Sequence, residues 1–295
     1  MTSIHLGCAI WAYRGWLGEF YPADSPVSDL LRLYGNRFST VECNATFYSV
    51  PSPPTVDKWR RTVPEGFLFC PKFPQSISHQ GALQPKLPEA LDFITLIQGL
   101  GDRLGPLFLQ LPPRYSPQGL RDLAQFLGGI ADAGVRLGLE VRHPLWFEPP
   151  HHQALRELLQ GLKIGLVLLD TRPIYQGPED PQHQSQRKKP RLPLRPCTTA
   201  SFTFIRYISH PQLPKNQALM ESWMPPLRQW QAQGQEIFFF MHCPVEEHSP
   251  RHAKFFHQLL QSHGIKVPPL PWDQVVAPPA QLDLFAQADP GSGSR

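Results

Sequence analysis

Leu137-Gly138-Leu139-Glu140-Val141-Arg142-His143-Pro144 is the stretch from which the fold is read. It begins apolar, runs into charged residues and stops at a proline. Short apolar runs bounded by turn signals read as buried strands. Proline, which cannot donate to a ladder, turns the chain out of the sheet. The same grammar recurs at residues 4–11, 38–48, 67–73, 107–111, 164–171, 202–208 and 237–243, with Pro74, Pro112, Pro173, Pro211 and Pro244 at or just beyond the ends. With 137–143 this makes eight strands. Helical patterns lie between several of them, at 28–34, 87–100, 117–131, 151–162, 217–233 and 249–262. The last is expected to be capped by Ser249, with Pro250 in the first helical position, and to close at Gly264. Strands alternating with helices predict an α/β protein, a single (β/α)8 TIM barrel over residues 1–266. A doubly wound open sheet is the rival.

The composition agrees with an enzyme-sized soluble domain. Of 295 residues, 41% are hydrophobic, which suffices for a large core. No apolar run is long enough to span a bilayer, and Met1-Thr2-Ser3-Ile4-His5 does not open a secretory signal. The 35 prolines follow no triplet and glycine is only 21, so collagen is excluded. A net charge of +4 permits nucleic acid as a partner without arguing for it. Cys8, Cys43, Cys70, Cys197 and Cys243 are odd in number and scattered, which disfavours a disulfide framework and a structural zinc. A reducing cytoplasm is the expected compartment.

Side chains alternate along a strand. Toward the strand ends one parity carries Glu42, Asn44 and Thr46, then Lys72, Gln110, Glu140 with Arg142, Asp170, Arg206 and His242. Each shares its parity with apolar residues nearer the strand start, such as Leu168 for Asp170 and Phe240 for His242. The interior is therefore expected to be oily at one end and ionic at the other. The carboxylates Glu42, Glu140 and Asp170 balance the cations Lys72, Arg142 and Arg206. Buried charges survive only when paired, so an inert plug of ion pairs is one reading. A functional site is the other, and it is favoured because barrel enzymes place their chemistry at these strand ends.

The candidate catalytic residues are Glu42, Glu140, Asp170 and His242, the first two as general acid and base if their pKa values are driven apart. Asn44, Lys72, Gln110, Arg142, Arg206 and His143 are candidates for substrate binding, the arginines suiting phosphate or carboxylate. Trp11, Tyr13 and Tyr48 offer stacking walls for a sugar or base. There is no HExxH and no glycine-rich phosphate loop. No cofactor is predicted, and a divalent metal stays open.

Several spaced motifs carry a resemblance. Gly7-x-x-x-Trp11-x-Tyr13-x-x-Trp16-x-Gly18-x-Phe20-Tyr21-Pro22 resembles the opening of the YecE-like family, a TIM-barrel group labelled a domain of unknown function. The likeness continues through 41–48, Phe69-Cys70-Pro71-Lys72, Leu104-Gly105-Pro106-Leu107, Gln110-Leu111-Pro112-Pro113, Glu140-Val141-Arg142-His143 and Ile205-Arg206-Tyr207. It spans roughly residues 4 to 262. It implies the barrel fold, similar to that of xylose isomerases and apurinic-site endonucleases, and leaves the activity open. This chain departs at the eighth strand, where commoner members carry paired asparagines and it has His242-Cys243-Pro244.

Two irregular stretches remain. Residues 176–199 are polar and proline-rich, with Arg187, Lys188, Lys189, Arg191 and Arg195 close together. They read as a solvated insertion, with a phosphate-holding loop over the barrel mouth as the alternative. Residues 267–295 read as a proline-rich, disordered tail. Its Gln281-Leu282-Asp283-Leu284-Phe285 resembles the peptide by which bacterial replication and repair proteins bind the DNA sliding clamp; Gln281, Leu282, Leu284 and Phe285 would be the contacts. The expectation is a hydrolase-type acid–base enzyme on a phosphate-containing small molecule or nucleic acid, brought to DNA by this tail. A sugar isomerase or hydrolase with an irrelevant tail and a non-catalytic adaptor are the alternatives.

Overall fold

Strands buried on both faces read as short apolar runs, and in β1, β2 and β5 one parity carries the apolar residues while the other is small or polar, as at Gly7, Glu42 and Gly138. The eight strands are β1 (Ile4–Cys8), β2 (Thr40–Cys43), β3 (Leu68–Pro71), β4 (Leu107–Gln110), β5 (Leu137–Glu140), β6 (Gly165–Asp170), β7 (Phe202–Ile208) and β8 (Glu236–His242). The computed structural model describes residues 4–177, 179–183 and 188–275. Every ladder is parallel, in the order β1-β8-β7-β6-β5-β4 in one sheet and β2-β3 in a second. The helices are α1 (Leu30–Gly35), α2 (Ala45–Tyr48), α3 (Pro53–Thr62), α4 (Gln75–Ser78), α5 (Leu87–Ile97), α6 (Leu120–Ile130), α7 (His151–Gly161), α8 (Gln217–Glu221), α9 (Met224–Ala232) and α10 (Ser249–Ser262). This is a TIM-barrel-like α/β arrangement. None of the helices described is long and apolar enough to cross a membrane.

The ladders do not form the one continuous cylinder expected from the strand count. Between β3 and β4 pairing falls to isolated bridges, Phe69 with Leu104 and Lys72 with Phe108. Between β1 and β2 a tyrosine takes the place of a ladder. The Cys8 N–H donates to the Tyr34 hydroxyl at 2.7 Å, and that hydroxyl donates to the Thr40 carbonyl at 3.0 Å. Gly7 permits this approach, since a Cβ there would lie 2.0 Å from the Thr40 carbonyl oxygen.

The two strand faces differ. The outer face packs with the helices in one large core that includes Leu6, Val41, Phe69, Leu109, Leu139, Leu168, Ile205 and Phe239. The inner face holds a smaller cluster of Cys70, Phe108, Val167, Phe202, Phe204, Phe238 and Phe240. Continuing two residues along β3, β4, β7 and β8 from that cluster, the same face turns polar at Lys72, Gln110, Arg206 and His242.

Several boundaries differ from those expected. β2 ends at Cys43 and the chain winds into α2, so Asn44 and Thr46 lie beyond the strand. The expected helix at 217–233 breaks into α8 and α9, with prolines in the first turn of α9 restarting it. Ser249 does not cap α10; it lies within the helix. Gly264, at φ 69°, does end it. The Ser-Pro rule holds instead at an unanticipated helix, α3, where the Ser52 hydroxyl accepts the Thr55 N–H at 3.4 Å. Nor does the chain leave the domain at 267: Leu270 is buried, and Trp272 packs edge-on against Phe20 at 4.8 Å. Gln281, Leu282, Leu284 and Phe285 lie outside the described residues, as does Arg187.

Candidate functional site

Arg206 organises the site. It leaves β7 on the inner face, 2% exposed, with Phe108 under its guanidinium at 5.4 Å. Its Nε donates to Glu42 Oε2 and its Nη2 to Glu42 Oε1, both at 2.7 Å, while Nη1 donates to Glu140 Oε2 at 2.5 Å. One guanidinium from β7 thus joins carboxylates from β2 and β5. Arg142, just past β5 and 12% exposed, donates Nε to Glu140 Oε1 at 2.5 Å. Glu42 also accepts from Asn44 Nδ2 at 2.7 Å and from His242 Nε2 at 3.0 Å. Lys72 donates Nζ to Gln110 Oε1 at 2.8 Å and sits 3.9 Å over the Phe47 ring.

Eight sequence-predicted residues therefore meet: Glu42, Asn44, Lys72, Gln110, Glu140, Arg142, Arg206 and His242. The others do not join them. Asp170 shares its parity with Leu168, but that parity is the outer one; its carboxylate is held by Arg172 and accepts the Trp223 Nε1 at 2.9 Å. The alternation holds at β6, but Leu168 and Asp170 lie on the outer face and Val167 on the inner one. His143 accepts the Leu145 N–H at 3.3 Å and organises its own turn. Trp11 packs on the helix side against Trp59 and Phe69. Tyr13 donates its hydroxyl to Glu247 at 2.5 Å, and Tyr48, 48% exposed, lies edge-on to Phe47.

Electrostatics correct the expected acid–base pair. Burial pushes the Glu42 carboxyl up, but Arg206 and His242 outweigh it and hold Glu42 well below the usual carboxylate range. Burial likewise opposes the ionisation of Glu140, and Arg142, Arg206 and Lys72 overcome it, bringing Glu140 down to about 2. The two carboxylates are not driven apart; both are fixed anions. His242 is pushed down to about 4, chiefly by burial, so near neutrality it is an uncharged hydrogen-bond donor to Glu42.

Sequence reasoning missed Glu246 and favoured the solvated reading for the stretch that carries Lys189. Glu246 lies in the turn after β8, and its Oε1 is buried without a hydrogen-bond partner. Burial pushes its carboxyl up to about 8, with the Ser249 hydroxyl and then Lys189 opposing the effect and Glu42 and Glu247 adding to it. The acidic pair just past Pro244 was the available signal. Lys189, from the stretch read as a solvated insertion, has its ammonium pushed down to about 8 by burial and by Arg206 and Arg142. Lys72 lies well below the usual lysine range for the same reasons, burial first and Arg206 next. Among the described residues no three His, Cys, Asp or Glu side chains converge as a metal site would require.

Chemically, the arrangement is a pair of fixed carboxylates, a set of cations exceeding what they neutralise, and one carboxyl that keeps its proton near neutral pH. The chain matches the family described as "Protein of unknown function DUF72" over residues 5–275. It is 31% identical to the UPF0759 protein YecE of Escherichia coli K12, covering 96% of this chain and all of that one. Identity to the UPF0759 protein YunF of Bacillus subtilis is 23% over 96% of this chain and all of that protein. Among solved structures, DUF72 family proteins of Enterococcus faecalis and Thermotoga maritima superpose with TM-scores of 0.65 and 0.64 at 16% and 19% identity. Each alignment covers 88% of this chain, and 98% and 99% of the respective structures. On this evidence the chain belongs to the DUF72 family.

Proposed function

We propose that this protein is an acid–base enzyme of the hydrolase type acting on a phosphate-bearing substrate bound where β2, β3, β5, β7 and β8 end. One observation carries the reading. Arg142, Lys72, Lys189 and Arg206 share the site with only two fixed carboxylates, Glu42 and Glu140, and Arg206 and Arg142 add to the burial that depresses both lysines. Cations crowded together without matching anions are costly, and an anionic ligand relieves that cost. Arginine and lysine together suit phosphoryl oxygens. Glu246 supplies the proton: its environment and that of Glu140 are pushed in opposite directions, the usual division between an acid and a fixed charge. A neutral sugar could accept hydrogen bonds from these cations but would leave their excess charge uncompensated.

Calorimetric titration with inorganic phosphate tests this, with glucose as the neutral comparison. Phosphate is expected to bind and glucose not. Lys72→Met and Arg142→Met should each weaken phosphate binding by ~10-fold or more, the scale of a lost charge-assisted hydrogen bond. Glucose binding that both variants leave intact, with no phosphate binding, would overturn the proposal.

A further inference from the structure

Lys72 is held where a charged lysine is poorly served. Its backbone is clamped by a single hydroxyl: Thr46 Oγ1 accepts the Lys72 N–H at 3.1 Å and donates to the Lys72 carbonyl at 2.6 Å. The side chain is 5% exposed. Its Nζ lies 3.9 Å from the centre of the Phe47 ring and 5.9 Å from that of Phe108, and it donates to Gln110 Oε1 at 2.8 Å. Among the described residues that neutral amide is its only hydrogen-bonding partner. The carboxylates of the site are taken by others, Glu42 by Arg206, Asn44 and His242, and Glu140 by Arg206 and Arg142.

A ring face attracts an ammonium less strongly than burial without a counter-ion disfavours it. A second cation is close as well, since the Arg206 guanidinium lies 5.4 Å from the same Phe108 ring. Like charges gathered at one ring repel. The free amine avoids both costs. It still donates a hydrogen to Gln110, and its lone pair is left unused. The fall of Lys72 below the usual lysine range, through burial first and Arg206 next, follows from the same contacts. A desolvated lysine beside another cation is the form of this residue that attacks carbonyl carbon. An anion-binding group stands near it. Gln110 lies opposite Glu140 in the β4–β5 register, and Glu140 carries Arg142, which keeps 12% of its surface exposed.

We propose that Lys72 is an amine nucleophile and that the substrate is a phosphorylated aldehyde or ketone, held by its phosphate on Arg142 and joined to Lys72 as an imine. The amine nitrogen bonds to the carbonyl carbon, and its two hydrogens leave with the carbonyl oxygen as water. No oxidant or reductant is consumed. The inference rests on the phosphate reading above for the anion, and adds the carbonyl and the covalent step. Inorganic phosphate alone recharges the nitrogen and binds it as a cation, because a nearby anion favours the protonated form. A carbonyl placed at the same nitrogen meets it as an amine.

The test incubates the full chain at pH 7 with dihydroxyacetone phosphate and sodium cyanoborohydride, which reduces an imine to a stable amine. Peptide mass mapping then locates the modified lysine. Dihydroxyacetone is the unphosphorylated comparison, and exposed Lys58 on α3 is the internal one. Lys72 should be labelled ~10-fold or more faster than Lys58, the gain in free amine for each unit that a lysine's pKa falls. Excess inorganic phosphate should slow that labelling and leave Lys58 unaffected. Lys72→Arg keeps a cation but cannot form the imine, so it should lose the label and still bind phosphate; if it does not fold, the mapped position in the wild type decides. Labelling of Lys72 no faster than Lys58, in a protein that binds phosphate, overturns the imine and leaves the phosphate site standing. Equal labelling of Lys72 by the two ketones keeps the nucleophile and overturns the phosphorylated substrate. A protein that neither binds phosphate nor is labelled at Lys72 loses both readings.

Discussion

Arg206 shows how one side chain can hold a site together while adding little net stability. Burial removes its hydration, and Glu42 and Glu140 restore the loss with three charge-assisted hydrogen bonds. A buried ion network seldom outperforms an apolar plug of equal volume, yet removing one partner strands the rest. Arg206→Met should therefore cost ~3–5 kcal/mol, since two fully buried carboxylates lose their shared cation. The triple variant Arg206→Met, Glu42→Gln, Glu140→Gln should recover most of that loss. Denaturant unfolding of the two proteins checks this; a triple variant no more stable than the single one would show that geometry rather than charge pairing is at stake. With Arg142 and His242, the same residue explains why neither glutamate titrates near neutrality.

At the scale of elements, the seam between β1 and β2 is the structure's own solution to a missing ladder. Tyr34 reaches from α1 and satisfies one donor and one acceptor of two different strands. The hydroxyl is fully buried, so no water replaces it. Tyr34→Phe keeps the ring packed against Phe38 and Phe67 but leaves the Cys8 N–H and Thr40 carbonyl without this partner. The expected cost is ~1–3 kcal/mol. Faster hydrogen exchange at the Cys8 amide should accompany it. An unchanged stability would mean that β1 and β2 are held by packing alone. The loop after β6 works on the same principle: buried Gln182 and half-buried Tyr175 satisfy backbone groups that no strand partner reaches.

For the whole molecule, buried titratable groups set the pH window of stability. His79 and His242 are held near 4 and His252 near 3, in each case mainly by burial, against an ordinary value of 6.5. The unfolded chain takes up these protons below 6.5 and the folded chain does not, so stability falls as pH drops from about 6.5 toward 4. Glu140 contributes in the same direction, its stabilisation being present above 4.5 and lost as pH falls toward about 2. Glu246 acts oppositely. The unfolded carboxyl ionises above 4.5 while the folded one keeps its proton to about 8, so stability is lost across that interval as pH rises. Melting temperatures from pH 4 to 8 should thus climb steeply on the acid side. Glu246→Gln should melt ~5 °C or more above the wild type at pH 8, with the difference shrinking toward pH 5. A difference independent of pH would place the origin outside the carboxyl's ionisation.

The sequence by itself determined the class of fold, the eight strands in their order and most of the ionic cluster, because strand burial and proline termination are local signals written in short runs such as 137–144. Alternation then put Lys72, Gln110, Arg206 and His242 on one face without knowledge of any neighbour. Which face is inner is not a local property, and so alternation alone places Asp170 in the interior although its carboxylate serves Arg172 and Trp223 on the helix side. Only the tertiary structure decided that Glu42 and Glu140 are locked by a shared arginine and that Glu246 is desolvated enough to keep its proton. The physical reason is common to both. Charge state and partner choice depend on burial and on groups brought together from distant strands, and neither can be read from the residues adjacent in the chain.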